Sequence, residues 1–159
     1  MSLAEQVYQK LSAHGLKLAT AESCTGGMVA AAITDIAGSS SVFDRGFVTY
    51  SNEAKSEMLT VPADLISEFG AVSAEVATAM AAGALNHSAA DIAVAITGIA
   101  GPTGGSAEKP VGLVHFAVAT HYATFAKAQR FGNLPRSEIR ERATHYALEM
   151  LLAAEIMRP

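Results

Sequence analysis

Cysteine is almost missing from this chain: Cys24 stands alone among 159 residues. An internal disulfide is therefore excluded, and a reducing compartment is the natural setting. Positive charge is also scarce. Eleven Lys and Arg against fifteen Asp and Glu leave a formal net charge of −4, which gives no general electrostatic reason to bind nucleic acid. Apolar runs are long but broken by Gly, Asp or Thr, so none has the length of a membrane span. The opening MSLAEQVYQK carries charge early and has no apolar h-region, so no secretory signal is expected and the cytoplasm is the expected location. The five histidines stand apart at 14, 87, 115, 121 and 145, with neither HExxH nor a His-Cys cluster, and no metal site is predicted. His115, in an apolar strand, reads as a satisfied core histidine. Internal repeats and low-complexity tails are absent.

What is present is core material. Half of the residues are hydrophobic, enough for one domain over 1–159 to bury a core without staples. Ser2 with Glu5 forms a capping box before the stripe Leu3, Val7 and Leu11, and Gly15 stops that helix. A strand over 17–21 runs through a Gly-containing turn into a helix over 27–35. A second strand is predicted over 43–50. Asn52 is expected to cap a short helix carrying Lys55, and Pro62 to begin another that Gly70 ends. Ser73 opens an alanine-rich helix with Val76, Met80 and Ala84 on one face. Residues 91–97 read as a strand buried on both faces. Strands over 111–119 and 123–131 form an antiparallel hairpin, and a long helix from Pro135 closes the chain. Strands alternating with helices predict an α/β fold: a three-layer α/β/α sandwich around a mixed, mostly parallel sheet.

Three segments place polar residues and glycines where strands end, the usual ligand position in open α/β sheets. The first is TAESCTGG, residues 20–27. Ser23 and Thr25 sit at the mouth of a helix, and Gly26 and Gly27 let backbone approach a ligand. A helix N-terminus there would receive a phosphate or an oxyanion; on spacing alone, simple helix capping is the plainer explanation of the hydroxyls. Cys24 beside them stays open as a nucleophile. The second is VTYSNEAK, residues 48–55. A lysine in a helix first turn opposes the macrodipole, and burial would lower its pKa further. Neutral Lys55 would then serve as base to a serine, with Tyr50 relaying a proton; a solvated lysine and an edge tyrosine are the plainer alternative. The third is TGIAGPTGG, residues 97–105, a loop too rich in Gly and Pro for regular structure, with Thr97 at its start and Gly101, Gly104 and Gly105 within it. Arg136 and Arg140, four apart on one helix face, would clamp a phosphate or carboxylate or simply be solvated; Arg130 and Arg142 are weaker choices.

These blocks, with GSSSVFDRGFVTYSNEAK, GAVS, KPVGLVHFAVA and RSEIR in order, resemble the CinA carboxy-terminal domain family of competence- and damage-inducible proteins over nearly the whole chain. Stand-alone members of that family are nicotinamide-nucleotide amidases. The resemblance implies a three-layer α/β/α domain that converts nicotinamide mononucleotide to nicotinate mononucleotide and ammonia without a cofactor or metal. The partner is then a small molecule, with no membrane and no direct nucleic-acid binding expected, and a homodimer or other homo-oligomer expected from size alone. It also implies roles: Ser23, Lys55, Tyr50 and Thr97 as catalytic, and Thr25, Gly26, Gly27, Gly101, Gly104, Gly105, Arg136 and Arg140 as substrate-binding. The segment FGNLPRSEIR departs from the shorter acidic-basic turn of many members. The rival reading is a non-catalytic nucleotide-binding or interaction domain.

Overall fold

The computed structural model describes residues 1–156; the last three residues of the domain expected over 1–159 lie outside them. The order of elements is α1 (Leu3–Ala13), β1 (Leu18–Glu22), α2 (Met28–Thr34), a 3-10 turn (Ser39–Ser41), β2 (Phe43–Val48), α3 (Asn52–Leu59), α4 (Ala63–Phe69), α5 (Ala74–Asn86), β3 (Ile92–Gly98), β4 (Leu113–Thr120), β5 (Thr124–Arg130) and α6 (Arg136–Ala153).

The strands form one sheet in the order β2-β1-β3-β4-β5. β1 pairs in parallel with both β2 and β3, while β3–β4 and β4–β5 are antiparallel. The sheet is mixed as expected, but its pairings divide evenly instead of being mostly parallel. β4 alone runs backward, because the chain reaches it from β3 through the glycine-rich loop rather than through a crossover helix.

Side chains alternate across each strand, and the two faces differ in bulk. Leu18, Ile92, Val94, Ile96, Val114 and Phe116 meet α1, α2 and α6 in one core. Ala19, Ala21, Ala93, Ala95 and Ala117 face the alanine-rich α5 and its neighbours in the other. Small residues on both sides let α5 lie close to the sheet. The close approach extends to α3: a Cβ on Gly83 would stand 2.0 Å from the Leu59 carbonyl oxygen.

Local signals act as read. The Ser2–Glu5 capping box is present, and Ser73 caps α5 through the Val76 N–H. One cap differs: Ser51, not Asn52, accepts from the Ala54 N–H at 3.0 Å and starts α3. Lys55 therefore falls at the end of the first turn, with its side chain inside the protein. His115 is not satisfied as expected; its Nδ1 is buried without a hydrogen-bond partner among the described residues.

Parallel register sets up the functional end. Glu22 of β1 is level with Val48 of β2 and Ile96 of β3. The residues that follow, Ser23, Thr49–Tyr50 and Thr97, gather at the carboxyl ends of the three parallel strands; Thr97 is still within β3 and pairs with His115 of β4.

Candidate active site

Ser23 is fixed by its main chain before its hydroxyl is considered. Its N–H donates to the Ile96 carbonyl at 2.9 Å, and its own carbonyl accepts from the Gly26 N–H at 3.1 Å. Gly26 and Gly27 have φ of 58° and 108°, a left-handed backbone that glycine tolerates, and this folds the turn tightly onto α2. The Ser23 side chain lies 3.0 Å from Lys55 Nζ.

Lys55 is 1% exposed. Its Nζ also donates to the carbonyls of Thr49 at 2.9 Å and Tyr50 at 3.4 Å. No carboxylate pairs with it among the described residues. Burial without an anion lowers its pKa. Its three acceptors, the two carbonyls and the serine oxygen, match the three N–H donors of an ammonium; loss of one proton would turn a lone pair toward the serine hydroxyl.

Cys24, next to the serine, is a different kind of group. It is 5% exposed, and burial pushes its thiol up to about 11, against the pull of its own N–H, Arg140 and Lys55. The sequence left a cysteine nucleophile open; the environment favours the thiol over the thiolate that such chemistry needs.

A cavity of about 270 Å³ is lined by Ser23, Lys55, Tyr50, Thr97, Arg136 and the loop through Gly101 and Gly104. The three segments singled out in the sequence thus meet in one place. Thr97 Oγ1 donates to the Ala71 carbonyl at 2.8 Å, which leaves its oxygen as an acceptor. The Tyr50 hydroxyl accepts from Arg136 Nη2 at 2.6 Å, and Arg136 Nη1 donates to the Gly101 carbonyl at 2.8 Å. Arg136 therefore links the tyrosine to the glycine-rich loop. A Cβ on Gly101 would meet Val111 Cγ1 at 2.5 Å, so that position has no room for a side chain. A larger cavity of about 640 Å³ adjoins across Thr103 and Gly104 and is bordered by Gly105, Arg130 and Asn133. Its size does not make it the reactive site, because neither Ser23 nor Lys55 lines it.

Five of the eight expected binding residues lie away from this cavity; one of them, Gly105, borders only the larger cavity. Arg140 does not line the cavity; Nε and Nη2 donate to the carbonyls of Cys24 and Thr25 at 2.9 and 3.3 Å. Gly26 faces Arg140, and Gly27 faces Val48. Thr25 is fully buried and donates to Glu22 Oε1 at 2.7 Å. Arg142 pairs with Glu138 one turn away on the exposed side of α6. Sequence reasoning overlooked Glu22, whose buried carboxylate also accepts from the N–H groups of Val29 and Ala30. The signal was an acid with a threonine three residues on, just before a helix.

The CinA C-terminal domain model matches residues 1–154. The chain belongs to the CinA C-terminal domain family. A nicotinamide-nucleotide amidohydrolase, PncC of Escherichia coli strain K12, is 54% identical to this CinA domain over 151 residues, covering 95% of the chain and 92% of the relative. A putative competence-damage inducible protein of Caldicellulosiruptor saccharolyticus is 51% identical over 94% of the chain, which spans 36% of that longer protein. The crystal structure of the competence/damage inducible protein CihA of Agrobacterium tumefaciens superposes on the CinA domain with a TM-score of 0.94 at 53% identity, covering 95% of this chain and 92% of that one. Among the described residues, no helix is long and apolar enough to cross a membrane.

Proposed function

We propose that this protein is an amidohydrolase that cleaves the carboxamide of nicotinamide mononucleotide, giving nicotinate mononucleotide and ammonia through a serine ester. The class rests on the family and on the 54% identity to an amidohydrolase that covers both chains almost entirely. The route rests on one observation, the 3.0 Å contact between Ser23 Oγ and a buried, carboxylate-free Lys55.

In this route the lone pair of Lys55 takes the Ser23 proton as Oγ attacks the carboxamide carbon. The developing oxyanion is held by backbone N–H groups. In α2 the Val29 and Ala30 donors are occupied by Glu22, so the Cys24 N–H and the Ala100–Gly104 loop, which line the cavity, carry that role. The C–N bond then breaks, and the amine leaves as ammonia with the proton returned by Lys55. Tyr50, whose oxygen already accepts from Arg136, has its own O–H free to assist this transfer. Thr97, as an acceptor, orients the amide N–H. Water, activated by the same lysine, hydrolyses the nicotinoyl ester and frees Ser23. Arg136 and the glycines of the loop hold the ribose phosphate. The setting is cytoplasmic, where a lone thiol persists.

General-base help contributes about 10²–10⁴-fold. The test is ammonia release from nicotinamide mononucleotide by the purified chain in chelator, beside Ser23→Ala. Release by the native chain alone is the expected result. Release that survives Ser23→Ala rejects the serine route. Binding of the nucleotide without turnover by the native chain points instead to a sensor domain.

A further inference from the structure

The geometry points to Glu22 as a positioning residue that aims Ser23 at Lys55 by tying the strand end, the serine turn and the start of α2 into one hydrogen-bonded unit.

Glu22 is the last residue of β1 and immediately precedes Ser23. It is 1% exposed. A carboxylate buried to that degree is costly unless its oxygens are satisfied. Here Oε1 accepts from Thr25 Oγ1 at 2.7 Å and from the Val29 N–H at 2.9 Å, and Oε2 accepts from the Ala30 N–H at 3.1 Å. The negative charge also lies against the positive end of the helix.

Stability of α2 alone does not require this arrangement. Its N-cap is Gly27, at φ 108° and without a side-chain bond; a local Ser or Asp is the ordinary way to cap a helix. The cap comes instead from seven and eight residues upstream, across the whole SCTGG turn. Both flanks of Ser23 are thereby held by one carboxylate: the strand before it, and Thr25 and α2 after it. From outside the turn, Arg140 clamps the carbonyls of Cys24 and Thr25. The Ser23 backbone is thus held from both sides, with its side chain bonded to Lys55. Misplacement by about 1 Å can cost roughly a hundredfold in rate.

The inference rests on the reading of Ser23 as nucleophile. The test uses the full chain and five proteins: native, Ser23→Ala, Glu22→Gln, Thr25→Ala and Thr25→Ser. Glutamine keeps the size but presents an NH2 group to one of three donors; Thr25→Ala removes one of those donors and Thr25→Ser restores it. Three readouts are taken: kcat and KM for ammonia release from nicotinamide mononucleotide, the pH dependence of kcat/KM, and the rate of Ser23 modification by phenylmethylsulfonyl fluoride. Circular dichroism establishes that each variant is folded at the assay temperature.

Glu22→Gln is expected to lower kcat by about tenfold to a hundredfold with KM changed less than about threefold. Sulfonylation should slow in parallel, and the acid limb of the pH profile should stay in place. Thr25→Ala should move the same way by less, and Thr25→Ser should recover the native rate. A folded Glu22→Gln with native kcat overturns the proposal, as does a shifted pH limb, which would mean that the carboxylate acts on the ionisation of Lys55. If Glu22→Gln does not fold, the threonine pair decides, and native turnover in Thr25→Ala overturns it. Turnover retained by Ser23→Ala removes the nucleophile reading and this proposal together; an inactive Ser23→Ala beside a fully active Glu22→Gln removes positioning alone.

Discussion

Lys55 Nζ stands 3.0 Å from Ser23 Oγ, and its other contacts are the backbone carbonyls of Thr49 and Tyr50. A strand end and a helix from different parts of the chain thus bring an amine and an alcohol together with no anion between them. The consequences follow from the direction of the Lys55 pKa, which burial lowers.

Activity should therefore need Lys55 neutral. kcat/KM for ammonia release is expected to rise with pH through an apparent pKa below that of an ordinary lysine, and Lys55→Met should lower kcat by about 10²–10⁴-fold and abolish that limb. The same shift governs stability. Between the lowered folded pKa and the unfolded one, the unfolded chain binds the extra proton, so stability rises with pH across that window and stays flat at its lower level beneath it. Methionine fills the space without titrating. Thermal melts across pH should show Lys55→Met lacking this slope and melting higher than the native chain at neutral pH. A native chain and variant with parallel melting profiles would argue that Lys55 is charged in the folded state.

Gly83 is far from the serine in sequence but fixes the element that carries the lysine. A Cβ there would lie 2.0 Å from the Leu59 oxygen and 3.0 Å from the Leu59 Cβ, so α3 must move away from α5. Gly83→Ala should destabilise by about 1–3 kcal/mol. Because Leu59 ends the helix that carries Lys55, kcat should fall as well, with the acid limb of the profile unchanged in kind. Denaturant unfolding and steady-state rates together check this; a loss of stability with an unaltered kcat would uncouple the packing from the base.

The fold and the reactive pair were legible in the sequence to different degrees. Glycine turns, Ser caps and alternating bulk marked the elements, since those signals act within a few residues. β4 and β5 read as a hairpin because Ala119 and Thr124 flank a short connection. The even split of pairings was not legible, because the direction in which β4 joins β3 is set by the path of the glycine-rich loop. Ser23 and Tyr50 stood out by residue type at strand ends, Lys55 by its place in a helix first turn and Thr97 through the family resemblance, yet their meeting depends on the parallel register of three strands. Arg136 and Arg140 share a helix face and looked alike; only tertiary packing separates the one at the cavity from the one behind the turn. Glu22 was overlooked because two of its three donors, the Val29 and Ala30 N–H groups, are backbone that any sequence supplies, leaving Thr25 as the one side-chain signal.

The two arginines should therefore respond differently to substrate. Arg136 lines the cavity, so Arg136→Gln should raise KM for nicotinamide mononucleotide and shrink the preference for it over the nucleoside lacking phosphate. Arg140→Gln removes the donors to the Cys24 and Thr25 carbonyls. It should lower kcat and melting temperature while the ratio of nucleotide to nucleoside kcat/KM stays at the native value. Steady-state kinetics on both substrates decides it; equal loss of the phosphate preference in the two variants would place Arg140 on the ligand.

Cys24 offers the sharpest separation of serine from cysteine chemistry, because the two side chains are adjacent and both belong to the cavity wall. With the thiol pushed up to about 11, its thiolate is about one part in a thousand at pH 8. Iodoacetamide reacts through the thiolate, so inactivation at that pH should be far slower than for an exposed cysteine. Arg140 and Lys55 draw the pKa down while Glu22 and, above all, burial hold it up. The alkylation rate should therefore climb steeply only toward strongly alkaline pH. Cys24→Ala keeps the neighbouring Ser23–Lys55 contact and should retain turnover within about threefold, on the order of 0.6 kcal/mol in activation free energy. Phenylmethylsulfonyl fluoride should inactivate native and Cys24→Ala proteins alike. Loss of turnover in Cys24→Ala with Ser23→Ala still active would transfer the nucleophile to sulfur.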